Sequence, residues 1–190
     1  MKLEELARDR ADVTVLQGDC NQVIVNVVLP RVRFDQYRRA LCILDPYGLH
    51  LDWSTVEAVA RSRSMDIFIN FPTMDINRNA LRRDPAQIAD SQANRLTAFW
   101  GDDSWRSIYR PVAQRPLWGE PENRKQASNE EVAEMYRQRL KKVAGFEFVP
   151  PPLPMRNRAR AIVYYLFFAS HKAVAGHIIE QVFAKYRKRG

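Results

Sequence analysis

Glycine is scarce in this sequence, seven residues in 190, and nowhere do these residues gather into a phosphate- or nucleotide-binding loop. That excludes a P-loop and a dinucleotide fingerprint within these residues. There are two cysteines, Cys20 and Cys42. Both fall in or beside expected strands, where small-residue packing in a reducing compartment is preferred over a disulfide or a metal. His50, His171 and His177 lack metal-ligand spacing, and the latter two read as structural. No nucleophile elbow or zinc motif is present. No apolar run approaches the roughly 18 residues of a membrane helix. Acids in Met1-Lys2-Leu3-Glu4-Glu5 stand where a signal peptide would be apolar. The expectation is a cytoplasmic protein with no membrane contact. Repeats and low-complexity tracts are absent.

What is present suits one globular domain: 190 residues, 46% apolar and 27% charged. The net charge of +8 is unevenly placed. From Pro121 onward there are fourteen Lys and Arg against six Asp and Glu, the whole excess. Arg156, Arg158 and Arg160 alternate, and Lys185, Arg187, Lys188 and Arg189 cluster. Such a basic third can attract nucleic acid or an acidic protein surface. The competing reading is a solvated helix end that complements its own dipole.

The most telling stretch is Ala40-Leu41-Cys42-Ile43-Leu44-Asp45-Pro46-Tyr47-Gly48. A buried parallel strand delivers polar groups to the carboxyl edge of an α/β sheet in this way. Val13–Gln17 ends similarly, in Gly18-Asp19-Cys20-Asn21. A helix over about 21–29 stops near Pro30, and a capping box of Ser54 and Glu57 opens another. With a strand at Met65–Phe71 the order is β-α-β-α-β, the signature of a parallel sheet. A short helix is expected over Lys2–Arg10.

From Thr73 to about Gly119 the chain is polar and Arg-rich, with Trp100, Trp105, Tyr109 and Trp118. It reads as a mainly helical insertion over the carboxyl edge, extending with the next helix to about residue 145. Its aromatics form either a base-stacking surface or, preferably, a satellite core. Ser128 and Glu131 make a second capping box, opening a helix with Val132, Tyr136, Leu140 and Val143 on one face. Phe146–Val149 and Ala161–Ala169 read as a strand pair. A last helix, Lys172–Arg187, should bury Ile178, Val182 and Tyr186.

Parallel strands closed by a late strand pair resemble the class I methyltransferase fold, whose final strand turns antiparallel and slips between two earlier ones. Five strings go further: Gly18-Asp19-Cys20-Asn21, Leu44-Asp45-Pro46-Tyr47-Gly48-Leu49, Asp52-Trp53-Ser54-Thr55, Phe71-Pro72-Thr73-Met74-Asp75-Ile76-Asn77-Arg78 and Tyr164-Tyr165-Leu166-Phe167-Phe168-Ala169-Ser170-His171. In order, over essentially the whole chain, they resemble the three-Cys-motif partner protein family. The resemblance implies an α/β three-layer sandwich, a truncated Rossmann-like methyltransferase domain over residues 1–190. It implies S-adenosylmethionine as cofactor and, as partner, a three-Cys-motif protein encoded nearby. It also implies a preceding strand and glycine loop that cradle the methionine and ribose. These residues contain neither. The expectation is therefore an N-terminally incomplete domain, inactive alone, with an open sheet edge that invites homo-oligomers.

The resemblance also implies site roles. Asp19 and the Cys20 backbone would meet the adenine, unless Asp19 simply caps the next helix. Asp45, Pro46 and Tyr47 stand where amino-group methyltransferases carry Asp/Asn-Pro-Pro-aromatic, with the acid and a proline carbonyl holding the target nitrogen. One proline is missing here, and a plain strand-ending turn is the alternative. Asp75, Asn77, Arg78 and Asn79 form a polar cluster after the third strand. Its Asp75, Asn77 and Arg78 are candidate substrate contacts, with Arg78 suited to a phosphate or carboxylate, and a plain loop of local Asx hydrogen bonds is the alternative. The competing functional class is a non-catalytic partner or nucleic-acid-binding module that keeps the fold.

Overall fold

The computed structural model describes residues 5, 9–80, 88–111, 123–125 and 127–187. Helix α1 (Cys20–Val23) runs on as a wider π turn over Ile24–Val28 and a tight 3-10 turn over Leu29–Arg31. Pro30, which has no N–H to donate, ends it. Strand β1 (Ala40–Leu44), helix α2 (Trp53–Ser62) and strand β2 (Met65–Phe71) form a β-α-β unit with β1 and β2 parallel. Then come α3 (Thr73–Asp75) with a π turn over Ile76–Ala80, α4 (Asp90–Trp100) and the small hairpin of β3 (Tyr109–Pro111) and β4 (Asn123–Lys125). Helix α5 (Asn129–Lys142), strands β5 (Leu153–Arg156) and β6 (Ile162–Ala169) and helix α6 (Ala173–Arg187) follow.

One four-stranded mixed sheet orders the molecule as β1-β2-β6-β5. Strand β6 lies between β2 and β5 and is antiparallel to both. Strand β2 alternates strictly, burying Met65, Ile67, Ile69 and Phe71 while Asp66, Phe68 and Asn70 are half-buried. That period of two sends one set to each face. The first set joins the main core, where the Tyr136 ring lies 4.9 Å from Phe71, 5.4 Å from Phe167 and stacks at 5.4 Å on Phe99. A smaller core of Leu153, Phe168 and Phe183 takes Phe68 and sits under α6. No helix among the described residues is long and apolar enough to cross a membrane.

Several expectations need correction. Val13–Gln17 is not a strand: it pairs with nothing in the sheet, and Val13 and Leu16 are exposed. A β-prone run without a ladder partner has nothing to hold it extended. The parallel part of the sheet is therefore two strands, not three. The first capping box does not form, because α2 begins at Trp53 and Glu57 instead accepts from the Trp53 indole N–H at 2.8 Å. The second forms as expected, with Ser128 and Glu131 bonding reciprocally. Val143, expected on the buried face of α5, is the exposed cap residue. At 146–149 only Phe148 bridges, to Ser170. Proline lacks the ladder donor, and pairing resumes after Pro150-Pro151-Pro152 as β5.

Helix α6 is turned relative to expectation. Ile178, Val182 and Tyr186 are exposed, while Gly176 and Phe183 are buried. Gly176 favours this rotation: a Cβ there would sit 3.1 Å from the Phe148 Cβ, so any larger residue would push the helix and Phe148 apart by a few tenths of an ångström. Trp100 and Trp105 are wholly buried in the main core rather than in a satellite or on a stacking surface. Cys20 is exposed, not packed, and Cys42 is half-buried; both thiols are free. Trp118, and most of the helix expected over Lys2–Arg10, lie outside the described residues.

Candidate functional site

The parallel register pairs Leu44 with Ile69, so Asp45 and Asn70 leave neighbouring strands at the same level. The Asn70 Nδ2 donates to Asp45 Oδ1 at 2.6 Å. Asn70 Oδ1 is buried and accepts from nothing. A buried acceptor left unmade typically costs about 1–3 kcal/mol, so it marks a place where an incoming donor would be welcome. Asn70 was not singled out from the sequence. The signal was there, in the polar residue that interrupts Ile69-Asn70-Phe71 just before Pro72.

The turn after β1 depends on Gly48. Its φ of +57° favours glycine, and a Cβ there would lie 2.9 Å from Asp75 Oδ2. Asp75, from α3, is thereby brought against the Asp45–Gly48 turn. Tyr47 is 90% exposed, so its ring is a free platform rather than packing. Tyr47, His50, Asp75 and Arg95 line a hollow of about 310 Å³, and the Arg95 guanidinium lies 2.9 Å from His50 Nδ1. Asn70, Asp75, Arg78 and Tyr164 line an adjoining hollow of about 280 Å³. Helix α4 of the insertion thus does reach the carboxyl edge. Pro46 is half-buried within the turn. Asn77 is placed differently, its amide donating to Asn129 Oδ1 at 2.8 Å at the start of α5.

Asp19 caps α1: its Oδ1 accepts from the N–H groups of Asn21 at 2.8 Å and Gln22 at 3.3 Å. Asn21, buried, ties this turn to the next loop by donating to His50 O and accepting from the Asp52 N–H and the Thr55 hydroxyl. Cys20 is exposed as a residue, but partial desolvation of its sulfur, and then the neighbouring Asp19 charge, push the thiol up, so it is no activated nucleophile. Among the described residues no glycine-rich turn stands beside these two residues to take a ribose or a methionine. Asp19 and Cys20 do not by themselves fit S-adenosylmethionine. No group of three or more His, Cys, Asp or Glu able to hold a metal exists among the described residues.

Fold and cleft together define a mixed α/β protein with a polar hollow at the carboxyl ends of two parallel strands, the usual ligand position in open α/β sheets. No protein-family model matches the chain, and neither does any curated protein or any solved structure.

Proposed function

We propose that this chain is a methyltransferase-like domain of the three-Cys-motif partner kind, carrying the acceptor side of the reaction. Asp45 and Asn70 would hold the amino or hydroxyl group that receives the methyl, and Tyr47 would cover the ring that bears it. The observation that carries this reading is the Asp45–Asn70 pair: the Asn70 amide N–H donates to Asp45 Oδ1 at 2.6 Å, and the Asn70 amide oxygen has no donor of its own. A primary amine supplies two N–H donors, which suits a site offering a carboxylate and an amide oxygen as acceptors. Orientation of that nitrogen is the main help a methyl transfer needs. The sheet order β1-β2-β6-β5, with β6 antiparallel between its neighbours, also supports the reading. Methyl donation would come from S-adenosylmethionine held largely by parts other than these residues. Nucleic acid is a candidate substrate, and a three-Cys-motif protein a candidate partner.

The test is an NMR titration with adenosine. Backbone amides of Tyr47, Gly48 and Asn70 are expected to shift, and to stop shifting in Asp45→Ala. Thymidine, which has no exocyclic amine, should bind about tenfold more weakly. Absence of any shift at millimolar adenosine would sink the proposal.

A further inference from the structure

A second concavity, of about 590 Å³, lies at the β5 edge, separated from β1 by β2 and β6. Leu153 and Met155 form part of its lining, and Arg156, Arg160, Arg187 and Tyr186 complete the features that matter. No carboxylate lines it among the described residues. Elsewhere arginines find acids: Arg63 pairs with Glu147, Arg137 with Glu134 and Arg139 with Asp102. Arg156, Arg160 and Arg187 pair with none among the described residues. Arg156 and Arg187 are instead held by backbone carbonyls. Arg156 Nη1 donates to Arg160 O at 2.9 Å, and Arg187 Nη2 donates to Pro151 O and Pro152 O. A guanidinium has five N–H donors, so each tether aims the group while leaving most donors for a ligand.

The turn between β5 and β6 reinforces this. Arg160 adopts φ +60°, a left-handed conformation that glycine or asparagine takes more readily. Asn157 closes the turn, its side chain accepting from the Ala161 N–H and its carbonyl from the Arg160 N–H. The result sets Arg160 beside Arg156, two like charges with no acid paired to either among the described residues. Tyr186, 49% exposed on the last turn of α6, stands beside Arg187 on the same wall.

We propose that this cleft binds single-stranded nucleic acid, the three guanidiniums taking successive phosphates and Tyr186 stacking on a base. Guanidiniums match phosphate oxygens in pairs, and an aromatic beside a basic groove is the usual platform for unpaired bases. A duplex keeps its base faces hidden, and so gains nothing from Tyr186. The site stands independently of the methyl-acceptor reading, which rests on the other end of the sheet.

The experiment is fluorescence anisotropy with labelled dT12 and residues 1–190. With three phosphates neutralised, log affinity should fall against log salt with a slope of about −2, roughly 20-fold between 50 and 200 mM. Replacing Arg156, Arg160 and Arg187 together with Ala should flatten that slope and weaken binding at low salt at least about tenfold. Tyr186→Ala should weaken binding by about tenfold with the slope retained. The control Arg61→Ala should leave both unchanged. If circular dichroism shows the triple variant unfolded, the single Arg→Gln variants should each reduce the slope by about 0.7. No binding at 50 mM salt, a slope indifferent to these arginines, or equal affinity for a duplex overturns the proposal. So does displacement by inorganic phosphate at the low millimolar level, which would leave only a free-anion site.

Discussion

The two edges of the sheet are finished differently. Strand β5 carries Pro154, an irregular register between Met155 and Arg156, and a charged side chain at its end. A proline, a bulge and a charge are the devices that keep an edge strand from pairing with another chain. Strand β1 has none of them. Its five residues, Ala-Leu-Cys-Ile-Leu, are all apolar, and Leu41 and Ile43 are 55% and 71% exposed. Val13, Leu16 and Val25 also stand exposed in the segment before it. The β5 edge is built as a boundary, whereas the β1 edge has the composition of an interior strand.

The comparison requires a middle that holds both edges, and Phe71 is its keystone. It is fully buried on β2, packed at 4.9 Å on Tyr136, 5.5 Å on Phe167 and 5.6 Å on Phe99. Phe71→Ala is expected to cost about 3–5 kcal/mol, read as a fall in the denaturant midpoint at constant slope. A loss below about 1 kcal/mol would mean the two edges are not anchored to one core. Met155→Ala, at the half-buried β5 margin, should cost clearly less.

The β1 edge should associate and the β5 edge should not. Residues 1–190 are expected to form dimers or larger species in sedimentation at tens of micromolar. Ile43→Lys places a charge on the exposed face and should weaken association about tenfold, an effect of about 1.4 kcal/mol. The equivalent change at β5, Met155→Lys, should leave association alone. A wild-type chain that stays monomeric would erase the distinction between the edges.

The sequence made some of this legible because local chemistry decided it. Strand β2 reads directly from Met65–Phe71, since strict alternation under two covering layers leaves little choice. The Ser128–Glu131 box is equally local. What failed was decided at a distance. Val13–Gln17 has a strand's composition but lacks a partner, and pairing is a property of two segments. The rotation of α6 is favoured by Gly176 meeting Phe148, against the louder stripe of Val174, Ile178, Val182 and Tyr186. For the site, Asp45 and Tyr47 were visible as the end of an apolar run. Asn70 needed the register that sets it beside Asp45. The convergence of Arg156 and Arg160 on Arg187 needed the left-handed turn, and alternation alone only hinted at it.

The smallest expected effect sharpens the β1 side, where Asp19 has two readings. As a cap it accepts from the N–H groups of Asn21 and Gln22, and its loss should cost about 1 kcal/mol. As a cofactor contact its loss should change binding instead. Isothermal calorimetry of residues 1–190 with S-adenosylmethionine is expected to give no binding heat, because among the described residues no glycine-rich turn stands beside Asp19 and Cys20 to form a cradle. Asp19→Ala should then lower thermal stability by a few degrees and leave the calorimetric trace flat. Asp19→Asn, which keeps an acceptor oxygen at the cap, should recover most of the stability because asparagine caps about as well. Measurable heat in the wild type that Asp19→Ala and Asp19→Asn both abolish would reverse the assignment. It would make the exposed turn at Asp19 a working part of a nucleotide site despite the unpaired edge beside it.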